Sequence, residues 1–195
     1  PVTHPLASWE NLKSYQFPDP IKDIEDIQDA VSKADHDRYM LVGDGGIWHR
    51  LHALRGFEKV MMDIIQSRRE LVVLIHKLID FNLKRLKCLL EFDIDGVMFG
   101  DDWGTQGRLM IRLEQWRRYF KPAYKSMFDL VRRRGKHVFF HSDGYVADII
   151  PDLIEIGINA VNVQVSLIGI EKLSQKFGGK VCIAADVDRQ HVLPF

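Results

Sequence analysis

Five short apolar runs, each closing on glycine or polar residues, limit what this chain can fold into. Tyr39-Met40-Leu41-Val42 ends in Gly43-Asp44-Gly45-Gly46, and Gly96-Val97-Met98-Phe99 ends in Gly100-Asp101-Asp102-Trp103-Gly104. His137-Val138-Phe139-Phe140 ends in His141-Ser142-Asp143-Gly144, Ala160-Val161-Asn162-Val163 ends in Gln164, and Val181-Cys182-Ile183-Ala184-Ala185 ends in Asp186-Val187-Asp188. Each run is too short for a helix and has the length of a buried strand. Amphipathic stretches separate them. The pattern predicts an α/β fold of successive βα units, with parallel strands near 39–43, 96–100, 137–141, 160–164 and 181–185 pairing in that order and helices outside. In such a sheet the residues just past the carboxyl ends of the strands share one rim, where ligands bind.

The connecting stretches support this reading. Residues 21–34 place Ile21, Ile24, Ile27, Ala30 and Val31 on one helical face. Helices are expected over 57–67, over 68–91 with Leu71, Leu74, Ile75, Leu78, Ile79, Leu86 and Leu89 inward, and over 113–134 with Trp116, Phe120, Tyr124, Phe128 and Val131 inward. Pro122 should bend or break the last of these. Further helices are expected over 145–156, closing at Gly157, and over 169–177, stopped by Gly178-Gly179. Residues 1–20 hold Pro1, Pro5, Pro18 and Pro20 and read as an extended lead-in pinned by Trp9, Tyr15 and Phe17. The organisation is one domain over 1–195: lead-in and first helix over 1–38, then βα units over 39–195. Pro1 at the start, and a strand-and-loop unit without its helix at the end, read as a fragment lacking both ends.

Charge and cysteine usage exclude several function classes. Among 195 residues, 27 basic side chains balance 27 acidic ones, so no global charge draws the chain to nucleic acid or to an anionic membrane. No apolar run approaches the roughly 20 residues of a membrane span, and no signal peptide opens the chain. Cys88 and Cys182 fall in a helical pattern and a strand, and read as buried thiols of a cytoplasmic protein without a disulfide.

Candidate chemistry gathers at the strand ends. His141 and Asp143 are two apart, so on an extended strand they point to one side and can share a ligand. A structural hydrogen-bonded pair is the plainer alternative. Asp101 and Asp102 are adjacent carboxylates that repel each other, raise at least one pKa, and invite a cation or a proton. The plainer reading makes Asp102 a helix cap. Ile47–Gly56 carries Trp48, His49, Arg50, His52 and Arg55: either a ligand-facing loop or a surface helix with Trp48 packed inward. Asp44, Trp48, His49, Asp101, Asp102, His141, Asp143, Gln164, Asp186 and Asp188 are expected around one end of the sheet, with Gln190 following them.

Several motifs resemble one family. Phe99-Gly-Asp-Asp-Trp-Gly-Thr-Gln106, the helix with Trp116 and Phe120-Lys-Pro122, His141-Ser-Asp-Gly144, Ile150-Pro-Asp-Leu-Ile-Glu-Ile-Gly157 and Asp186-Val-Asp-Arg-Gln-His-Val-Leu-Pro-Phe195 resemble the uroporphyrinogen decarboxylase superfamily. The resemblance runs from about residue 40 to the end and implies a TIM-type (β/α)8 barrel, of which this chain supplies about the third to seventh strands. Members include the haem-pathway decarboxylase and methyltransferases that move methyl groups between corrinoid proteins and thiols.

Two departures bear on activity. The decarboxylase carries a pocket tyrosine where this chain has Ala53, and a serine where it has Asp101. In the methyltransferases a His-x-Cys after the fifth strand binds zinc; His141 matches the histidine and Asp143 stands at the cysteine. Zinc also accepts carboxylate oxygen. The resemblance thus implies a methyltransferase-like enzyme. Zinc would sit on His141 and Asp143. Asp101, Asp102, His141 and Asp188 would be the catalytic candidates, and Asp44, Trp48, His49, Gln164, Asp186 and Gln190 would bind substrate. The corrinoid would come as substrate or on a partner protein. A homodimer is compatible with this reading. The alternatives are cofactor-free decarboxylation of a tetrapyrrole and a non-catalytic corrinoid-binding module.

Overall fold

A computed structural model describes residues 3–188 and 191–192. Its centre is one parallel sheet of five strands in sequential order: β1 (Leu41–Gly45), β2 (Gly96–Gly100), β3 (His137–Ser142), β4 (Ala160–Val163) and β5 (Cys182–Ala185). The expected pairing order holds throughout, with Gly100 opposite His141, His141 opposite Asn162, and Asn162 opposite Ala184. Helices fill every crossover. Between β1 and β2 lie α2 (Ile47–Arg55), α3 (Phe57–Ile65) and α4 (Arg69–Leu89); between β2 and β3 lie α5 (Leu113–Tyr119) and α6 (Lys121–Arg133). Between β3 and β4 lies α7 (Ile150–Glu155), and between β4 and β5 lie α8 (Val165–Ile168) and α9 (Ile170–Phe177). The first helix, α1 (Ile24–Ser32), precedes β1. Sequential parallel strands with helical crossovers are the arrangement of a partial (β/α)8 barrel.

Alternation along the strands decides which side chains reach the site. Val97, Phe99, Val138, Phe140, Val161 and Val163 are buried and form the helix-facing core with Tyr124 and Phe128. The residues between them, Met98, Gly100, Phe139, His141 and Asn162, are half-buried on the opposite face. The polar residues of the rim continue that second set.

Local chemistry moves some expected boundaries. The helix expected over 113–134 breaks at Phe120, and Pro122 falls in the first turn of α6, where its missing N–H has no intrahelical partner to lose. The helix expected from 145 begins at Ile150, because the Tyr145 N–H donates to Thr105 O (2.7 Å) and Pro151 sits in the first turn of α7. Residues 47–55 are the helix α2, with Trp48 packed inward. The lead-in is held as expected at Trp9, which lies under the buried Arg55 guanidinium (4.1 Å), while Asp63 accepts from both Trp9 Nε1 and Arg55 Nε. The cysteines depart from expectation. Cys88 is half-buried and Cys182 is exposed, because among the described residues no strand pairs with the far edge of β5; both are free thiols. Among the described residues no helix is long and apolar enough to cross a membrane.

Candidate metal centre

The carboxyl ends of β2 and β3 continue into loops joined along their backbones. Asp101 N–H donates to His141 O (3.1 Å) and Gly104 N–H to Asp143 O (3.1 Å). Trp103 N–H donates to Ser142 Oγ (3.0 Å) and Asp143 N–H to Asp102 Oδ1 (2.9 Å). Gly104 and Gly144 lie so close that a Cβ on Gly104 would stand 2.5 Å from the Gly144 carbonyl carbon, and Gly144 has φ of +80°. Only glycine permits that approach. The motifs Gly-Asp-Asp-Trp-Gly and His-Ser-Asp-Gly therefore form one structure across two loops.

The two adjacent aspartates part at this point. Asp101 continues the core-facing set after Phe99 and is 0% exposed. Its carboxylate accepts the N–H groups of Trp48 and His49 (both 2.9 Å) and the Tyr124 hydroxyl. It thus caps α2 from another element, and Gly46 leaves room for it: a Cβ there would overlap the carboxylate. Burial pushes the Asp101 carboxyl up, and its hydrogen bonds pull against that rise. The cap that the plainer reading gave to Asp102 is formed by Asp101, and Asp102 faces the rim.

Asp102 turns the other way, with its side chain 34% exposed. His49 Nε2 lies 3.3 Å from Asp102 Oδ2, and His49 Nδ1 lies 3.4 Å from Asp101 Oδ1. The imidazole beside Asp102 holds its carboxyl down to about 2, while Asp102 raises His49 against the opposing effect of burial. One turn along α2, His52 sits against the rings of Trp48 and Phe57, and burial lowers it to about 4.

His141 completes the group. Its Nε2 is 3.6 Å from Asp102 Oδ1 and 3.8 Å from Asp143 Oδ1, and ligand atoms of Asp102, His141 and Asp143 all lie within 4.8 Å of one another. Those separations exceed a hydrogen bond. Two ligand atoms on one tetrahedral ion at about 2.0–2.2 Å would lie roughly 3.3–3.6 Å apart. One imidazole nitrogen and two carboxylates suit zinc or another divalent cation, so this donor set fits a metal. On its other side, His141 Nδ1 meets Asn162 Oδ1 at 2.5 Å, and Asn162 Nδ2 donates to Ala184 O and to Asp186 Oδ1 (both 3.0 Å).

The remaining expected residues scatter. Asp186 joins the site through Asn162, and Gln164 Oε1 accepts the Gly144 N–H (2.8 Å), bracing the loop. Trp48 does not face the rim: it is fully buried and stacks on Trp103, ring centroids 4.4 Å apart, beside Phe120. Asp188 pairs with His191 beyond β5. Asp44 pairs with Phe99 through the backbone register; its side chain, like the whole of Gln190, lies outside the described residues. Sequence reasoning missed Asn162 and Tyr124. The signal for Asn162 was a polar residue two positions before Gln164 in an otherwise apolar strand. Tyr124 offered none, since it fits the core stripe of its helix.

The family profile described as Uroporphyrinogen decarboxylase (URO-D) matches residues 1–193. Among solved structures, a methyltransferase from Methanosarcina mazei superposes with a TM-score of 0.72 at 15% sequence identity, over 88% of this chain and 51% of that one. This chain thus spans about half the length of that protein, and at such low identity the likeness is one of fold. A search of curated proteins found no match.

Proposed function

The chain belongs to the uroporphyrinogen decarboxylase family, and from that premise we propose an enzyme of its methyltransferase-like branch, with a divalent cation held by Asp102, His141 and Asp143. The observation that carries this reading is the convergence of those three groups at one rim. A cation bound there would lower the pKa of a thiol, hydroxyl or water delivered as methyl acceptor. The chain's own residues set up the rest. Before a cation arrives, His49 beside Asp102 keeps that carboxylate ionised across the neutral range, and His49, half-exposed on the first turn of α2, is kept protonated to higher pH by the same contact. That makes His49 the proton donor nearest the rim carboxylates. The corrinoid is proposed as substrate or as the cargo of a partner protein.

Decarboxylation of a tetrapyrrole is the second reading. It draws on the ionised, partly exposed Asp102, whose charge would stabilise the pyrrole cation formed by ring protonation, until departure of CO2 returns an electron pair to the ring. Three rim acids, Asp102, Asp143 and Asp186, speak against a polyanionic substrate at that spot.

Metal analysis of the intact protein separates the two. Stoichiometric zinc, lost together with corrinoid-to-thiol methyl transfer in His141→Ala while melting of the metal-free protein stays nearly unchanged, is the expected result. A metal-free protein that releases CO2 from a porphyrinogen would overturn the proposal.

A further inference from the structure

We propose that Asn162 is a positioning residue that fixes the tautomer of His141, keeping the proton on Nδ1 and turning an unprotonated Nε2 toward Asp102 and Asp143. The inference takes its functional weight from the metal-centre reading above, while its geometry stands apart from that reading.

A carboxamide offers two N–H donors and one oxygen that only accepts. Asn162 Nδ2 lies 3.0 Å from Ala184 O and 3.0 Å from Asp186 Oδ1. A carbonyl and an ionised carboxylate can only accept, so both N–H groups are committed. Flipping the amide would set its oxygen against those two acceptors and its NH2 against His141. The amide orientation therefore follows from chemistry rather than from convention.

With the orientation fixed, Asn162 Oδ1 faces His141 Nδ1 at 2.5 Å. That oxygen needs a donor. If the ring carried its proton on Nε2 alone, two lone pairs would oppose each other at that distance. The proton therefore sits on Nδ1. In the neutral ring the free pair is then on Nε2, the atom 3.6 Å from Asp102 Oδ1 and 3.8 Å from Asp143 Oδ1. Hydrogen bonding at one ring nitrogen sets which nitrogen is available to a metal, and an acceptor at the far side raises ligand basicity.

The fold delivers this relay through strand register. His141 is opposite Asn162, and Asn162 is opposite Ala184. Asp186 lies two residues beyond Ala184, so alternation carries it to the same face. Three adjacent strands thus contribute one link each, from a carboxylate on the β5 side to the candidate metal ligand on β3.

The test begins with the intact, metal-free wild-type protein, labelled with nitrogen-15 at histidine and held at about pH 9, above the ordinary imidazole range. Proton–nitrogen correlations report which ring nitrogen of His141 is protonated, the signal being assigned by its loss in His141→Ala. The proposal expects Nδ1–H in the wild type, a shift toward Nε2–H in Asn162→Leu, and zinc affinity lowered roughly 10- to 100-fold in that variant. A wild-type ring protonated on Nε2 would overturn the proposal without any need for the variant to fold. So would an Asn162→Leu protein that keeps the wild-type tautomer. A wild type with Nδ1–H that binds no zinc would support the positioning role and sink the metal-centre reading.

Discussion

Asp101 and Asp102 are neighbours in sequence and opposites in the molecule. Asp101 is sealed behind the sheet, spending its oxygens on two backbone N–H groups and a tyrosine hydroxyl. Asp102 is partly open at the rim, facing two imidazoles and accepting the Asp143 N–H. One step along an extended backbone reverses the side, so the same residue type serves the helix layer at one position and the barrel interior at the next. α2 repeats the division. His49 leans on the acid pair and rises, whereas His52, one turn away among aromatic rings, falls to about 4. In both pairs it is the surroundings that assign the chemistry.

The sharpest way to break the comparison is to truncate each aspartate. Asp101→Ala strands the Trp48 N–H and the Tyr124 hydroxyl in a dry layer and takes the acceptor from the part-buried His49 N–H, each buried loss costing roughly 1–3 kcal/mol. Denaturant melts should show a loss of several kcal/mol, or no folded protein at all. Were Asp101→Ala to melt like the parent while losing activity, Asp101 would belong with Asp102 at the reaction centre. Asp102→Asn should do the reverse. An amide can still accept from the Asp143 N–H, so stability should move by less than about 1 kcal/mol. Divalent-metal affinity should drop by more than roughly 100-fold, read by competition with a chelating dye.

The histidines carry smaller effects of opposite sign. His52 has its pKa lowered from 6.5 to about 4 on folding. The unfolded chain therefore takes up a proton first, and stability drains away as pH falls from 6.5 toward 4. His52→Phe, which keeps a ring beside Trp48, should flatten that acid limb of the melting curve and leave the value at about pH 8 unchanged. His49 is raised from 6.5. Its contribution is full below 6.5 and is lost as pH climbs through the elevated value; the Asp102 side of the pair fails only as pH drops from 3.8 toward 2. His49→Gln should accordingly destabilise at about pH 5 by under ~1 kcal/mol and by less at alkaline pH. Equal losses at both ends would mean that the ring serves packing alone.

The strand rhythm was legible because apolar runs of strand length leave few alternatives, and the parallel order followed from intervening helices long enough for crossovers. The meeting of His141 with Asp143 was legible from spacing of two. Membership of Asp102 in that group was not, because it depends on which way β2 faces when it ends; counting outward from buried Phe99 would have separated Asp102 from Asp101. Asn162 was hidden for a different reason. Its role exists only in the lateral register of β3, β4 and β5, and a single sequence carries no lateral information. Trp48 misled because a tryptophan beside histidines resembles a binding loop, when its partner Trp103 lies far along the chain. Cys182 misled because an apolar strand reads as buried whether or not a neighbour covers it.

The glycine pair at 104 and 144 has a mechanical consequence. With no side chain between them and backbone hydrogen bonds on either side, the loops bearing Asp102 and Asp143 cannot slide or hinge independently. The repulsion between the two acids is therefore met during folding, and a cation at the proposed centre would find its ligands already in place instead of drawing them together. Amide exchange tests this: the Asp143, Gly104 and Tyr145 protons should be among the slowest of the loop amides, moving with the sheet as a single solid.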